Sequence, residues 1–105
     1  MMTDRVFRAL ALHALQTPFK IALRSGARTI SYCALAGFLV ESAKALASSP
    51  RVVGISCDDP LEAALADIAL TFYGHVVVHV PPFFSPTQRA HIATAAEIET
   101  FIGRS

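Results

Sequence analysis

The chain has 105 residues, is 53% hydrophobic and only 16% charged, and sets nine Lys+Arg against eight Asp+Glu for a formal net charge of +1. That length predicts one small domain spanning 1–105, and its apolar content at near-zero net charge excludes a disordered chain. No basic excess is left to neutralise phosphates, which argues against a nucleic-acid module, and two cysteines are too few for a disulfide scaffold.

Residues 3 to 16 read as a helix, with Thr3 as its cap and Val6, Phe7, Leu10, Ala11 and Ala14 as an apolar face at 3.6-residue spacing. Thr17-Pro18 ends it. Residues 19 to 24 then alternate, placing Phe19, Ile21 and Leu23 on one face of a strand. Ser25-Gly26-Ala27 turns the chain, and Arg28-Thr29-Ile30 returns as the second arm of a hairpin. Ser31 is a good cap for a second helix with the stripe Leu35, Phe38, Leu39, Ser42 and Leu46, stopped by Ser48-Ser49-Pro50.

Residues 51 to 57 form a near-continuous apolar strand of the kind buried in a parallel sheet. Asp59, Pro60 and Glu62 make a capping-box-like helix start, ahead of a buried stripe of Leu61, Leu65, Ile68, Ala69 and Phe72. Gly74 suits the left-handed position after that helix. Residues 75 to 80 are another buried strand, broken by Pro81-Pro82. Ser85 and Gln88 repeat the helix-start pattern for a helix to about Ala96, and residues 100 to 102 read as a last short strand before Gly103-Arg104-Ser105. Three strands joined by two helices imply a parallel sheet with right-handed crossovers. The expected fold is α/β: a small three-layer-like domain, with a short parallel sheet from βαβαβ units plus an N-terminal helix and hairpin.

The start of the chain carries Asp4, Arg5 and Arg8, and the apolar stretch after it is broken by His13 and Gln16, so it does not read as a signal peptide. The longest apolar run, Val76 to Phe84, is interrupted by His79, Pro81 and Pro82 and falls short of the ~20 residues of a bilayer span. A cytoplasmic protein is expected, with Cys33 and Cys57 as free thiols.

Several residues invite a chemical reading. His75 and His79 would lie roughly 13 Å apart on a strand, too far to share one metal, and His13 and His91 lack companions at ligand spacing. Asp58-Asp59 sits at the C-terminal end of a parallel strand, the edge where open α/β sheets bind ligands. The neighbouring Pro60 and Glu62 favour capping by Asp59 and solvation of Asp58 instead. Cys57 ends the same strand and Cys33 opens a helix, but no base stands beside either, so buried structural cysteines are the preferred reading. Glycines at 26, 37, 54, 74 and 103 form no phosphate-binding loop. No catalytic, cofactor-binding or metal residue is assigned.

The order of these features resembles the opening segment of the adenylate-forming superfamily, which includes acyl-CoA synthetases, aryl-CoA ligases and the adenylation domains of peptide synthetases. Thr17-Pro18 followed by Lys20-Ile21-Ala22-Leu23 is similar to the family's P-x-x-x-A-L. Residues 28 to 35, Arg-Thr-Ile-Ser-Tyr-Cys-Ala-Leu, are similar to x-T-L-T-Y-x-E-L. Residues 62 to 74 resemble E-x-x-x-A-x-L-A-x-x-x-A-G, and residues 76 to 82 resemble A-V-x-V-P-L-x-P. The likeness runs from about residue 7 to 102. It departs at Ala34, where the family has a Glu that would complete a capping box with Ser31.

The resemblance implies the N-terminal scaffold segment of an ATP-dependent, AMP-forming acid–thiol ligase. ATP, Mg and CoA are implied only for a full-length member, because the family's phosphate loop, adenine motif, ribose-binding Asp, hinge and C-terminal Lys lie further along a longer chain. No functional residue carries over, and this chain alone is expected to be inactive. Low charge and continuous apolar strands independently imply exposed apolar patches, hence packing on the remainder of a larger ligase or self-association, most simply a two-fold dimer. The alternative is a stand-alone α/β interaction or dimerisation module. A third reading, a small enzyme or ligand binder, would work at the strand ends near Asp58, Asp59, Pro81 and Pro82.

Overall fold

The computed structural model describes the backbone of residues 2–47 and 51–103, with side chains from residue 5 onward. Thr3's side chain, the helix stop at 48–50, Arg104 and Ser105 lie outside the described residues. The elements in chain order are α1 (Met2–Gln16), β1 (Ile21–Ser25), β2 (Arg28–Ser31), α2 (Tyr32–Leu46), β3 (Val52–Ser56), α3 (Pro60–Phe72), β4 (Val76–His79), α4 (Pro86–Ala95) and β5 (Thr100–Gly103). The chain divides into two compact units, Met1–Ala47 and Ser48–Ser105. No helix among the described residues is long and apolar enough to cross a membrane.

In the first unit β1 and β2 pair antiparallel around a two-residue turn, where Gly26 supplies φ +60°. Ser31 caps α2 as expected, its hydroxyl accepting from the Ala34 amide at 3.1 Å. Leu35 and Leu39 are the buried residues of α2. Two expectations are corrected. Phe19 is not in the strand: it lies in the turn closed by the Lys20 amide on the Thr17 carbonyl, and it is 86% exposed. The alternation behind that expectation is also broken by an irregularity between Ile21 and Leu23. On α1, Val6 and Ala11 are exposed, while Phe7, Leu10 and Ala14 are half-buried together with His13. The packed face turns towards His13 because its ring stacks on Tyr32, with centroids 4.8 Å apart.

The second unit is a three-stranded parallel sheet in the order β4-β3-β5. The chain steps from β3 outward to β4 and then back across β3 to β5. Right-handed crossovers in opposite directions put their helices on opposite faces. Side chains agree with this. His79, in register with Ile55, reaches Asp67 of α3, whereas Ser56 is reached by Arg89 of α4. The core comprises Val53, Ile55, Leu61, Ala69, Leu70 and Val80. Phe72, expected in the buried stripe of α3, is exposed and packs edge-on against Tyr73, and Leu70 is buried instead.

The end of α3 explains Gly74. The Gly74 amide bonds the Thr71 carbonyl and the His75 amide bonds the Leu70 carbonyl, with Gly74 at φ +84°. This paired closure needs a left-handed residue. The same closure ends α4, where the Glu97 and Ile98 amides bond the Thr94 and Ala93 carbonyls and Glu97 adopts φ +57°. At the start of α4 the Ser85–Gln88 capping box forms in full, with bonds of 3.2 and 2.7 Å. At α3 it does not form in the expected way: Asp59 accepts from Leu61, at 2.9 Å.

Candidate functional site

The C-terminal edge of the parallel sheet gathers most of the residues with chemistry. β3 delivers Ser56 there, the loop after it Cys57, Asp58 and Asp59, and the chain after β4 Pro81 and Pro82. Asp59 is committed to the amide of Leu61, which makes it a cap. Half-buried Cys57 has its thiol pushed above the ordinary range, chiefly by desolvation and then by the charges of Glu62, Asp58 and Asp59. A nucleophile needs the opposite shift, because the thiolate is the reactive form.

The same edge holds a polar pair that no local pattern announces. Ser56 is fully buried, and its hydroxyl accepts from Arg89 Nη1 at 2.9 Å. The Arg89 guanidinium also lies over the Phe101 ring, 5.4 Å from its centroid. The Phe101 ring in turn crosses Gly54, its partner in register. A Cβ at Gly54 would stand 2.6 Å from that ring. Gly54 thus makes room for Phe101, Phe101 supports Arg89, and Arg89 satisfies Ser56. The only local signal was the glycine inside an apolar strand. The three partners come from distant parts of the sequence.

The histidines are separated by their partners as well as by their spacing. His75 is buried, and its Nδ1 accepts from the Arg51 amide at 3.1 Å, which places the ring proton on Nε2. His79 Nε2 meets Asp67 Oδ2 at 2.6 Å, and Asp67 Oδ1 accepts from the Thr71 hydroxyl at 3.0 Å. His13 stacks on Tyr32. His91 lines an open apolar groove with Phe84, Thr87, Gln88, Ile92 and Ala95. Cys33 is exposed in the first turn of α2. Among the described residues no three His, Cys, Asp or Glu side chains group as metal ligands.

Carboxylates crowd the chain just after β3. Asp58, Asp59 and Glu62 surround Cys57 closely enough to raise its pKa, and like charges disfavour an anion there. Among the described residues, Arg89 reaches this edge and is engaged with Ser56 and Phe101.

No family model and no curated protein sequence matches the chain. Solved structures do match its fold. The N-terminal subdomain of NpsA from Klebsiella oxytoca superposes with a TM-score of 0.76 at 22% identity, over 90% of this chain and 26% of that one. FmoA3, a nonribosomal peptide synthetase solved in an α-methyl-L-serine-AMP bound form, gives 0.74 at 15% identity, over 91% of this chain and 11% of that one. IdnL1 gives 0.68 at 24% identity, over 88% and 20%. The chain therefore has the fold found in part of the NpsA N-terminal subdomain, in agreement with the resemblance read from its motifs. It spans about a quarter of that subdomain.

Proposed function

We propose that this chain is the N-terminal scaffold segment of an ATP-dependent, AMP-forming ligase, inactive in adenylation by itself. The observation that carries this reading is the match to the NpsA N-terminal subdomain over 90% of the chain. The order of the motifs from about residue 7 to 102 supports it further. In this reading the parallel sheet and the hairpin unit are framework. The carboxylic acid, ATP, Mg and a thiol acceptor such as CoA bind to parts of a longer polypeptide, and the negatively charged edge around Cys57 takes no part in the reaction. NpsA has been solved with 3-hydroxyanthranilyl-AMSN. FmoA3 has been solved with α-methyl-L-serine-AMP, so aryl and amino acids are the substrate classes proposed for the ligase.

Two measurements test the proposal. The chain alone should show no acid-dependent ATP–pyrophosphate exchange across aryl, amino and fatty acids. The native protein, detected by an antibody against this chain and weighed intact, should be several times heavier than 11.2 kDa. A native species at 11.2 kDa would overturn the scaffold reading. The alternative, a stand-alone interaction module located in the cytoplasm, would then take its place. One observation favours that alternative specifically: the outer strand β4 contains no Asp, Glu, Lys or Arg.

A further inference from the structure

We draw no further inference here: the strongest candidate, the surface patch on α1 where the exposed Arg5 and Arg8 stand at helical spacing with the exposed Leu12 and Leu15, is an unpartnered face, and nothing in the structure shows what covers it.

Discussion

The two compact units spend their apolar residues differently. Among the described residues of Met1–Ala47 the buried apolar side chains are Leu35 and Leu39, both on α2, while Val6, Leu12, Leu15, Phe19, Ile21 and Val40 stand exposed. Among the described residues of Ser48–Ser105 six apolar side chains are buried, drawn from β3, α3 and Val80 just beyond β4. The first unit is assembled from neighbours in sequence, a hairpin and the helix that follows it. The second joins segments far apart, so its sheet depends on contacts that close long loops. The residues that define its interior are therefore the ones whose loss should be felt most.

Ile55 separates the units most sharply. It is 1% exposed in the central strand, and Ile55→Ala should cost about 3–5 kcal/mol by removing transfer energy and leaving a cavity. Leu15, 83% exposed on α1, should change stability by no more than about 0.5 kcal/mol on Leu15→Ala. Urea unfolding of both variants checks the pair, and equal losses would break the comparison.

Gly54→Ala drives a methyl into the Phe101 ring and should cost about 1–3 kcal/mol through overpacking. The double variant with Phe101→Leu should recover part of that loss, because the smaller side chain gives way. Additive losses would show that the ring is not the obstacle.

Glu97→Gly should work in the opposite direction. Its left-handed backbone, at φ +57°, strains any residue with a Cβ. Relief should gain about 0.5–1 kcal/mol after the added freedom of the unfolded glycine is subtracted. A rise of a few degrees in Tm reads this out; an unchanged or lower Tm would count against strain at that position.

The smallest effect contrasts one thiol from each unit. Cys33 is exposed, whereas Cys57 is half-buried beside three carboxylates that raise its pKa. Iodoacetamide should modify Cys33 first. Cys57 should react appreciably only as the pH rises past the ordinary thiol range, and earlier in Glu62→Gln. The sign for stability follows. A pKa raised in the folded state contributes stability at low pH that is lost as the pH climbs through that raised value, so the protein should weaken in the alkaline range.

What the sequence made legible was mostly local. The caps at Ser31, Asp59 and Ser85, and the left-handed Gly74, each depend on a handful of adjacent residues, and all four appear where the pattern placed them. The failures at Phe19, Val6 and Phe72 share a cause. Spacing shows that a face is apolar, but what packs on it is decided elsewhere in the chain. The order β4-β3-β5 and the Arg89–Ser56 bond lay beyond local reading for the same reason, since the bonded residues are 33 positions apart.

The position of β3 also sets a timetable. This central strand is made before either of its neighbours. Its partner for Val53 in β4 is Val77, and its partner in β5 is Thr100. A ribosome adding about 5–20 residues per second takes roughly 2–10 s to travel from Val53 to Thr100. Throughout that interval an apolar strand waits with at least one bare flank.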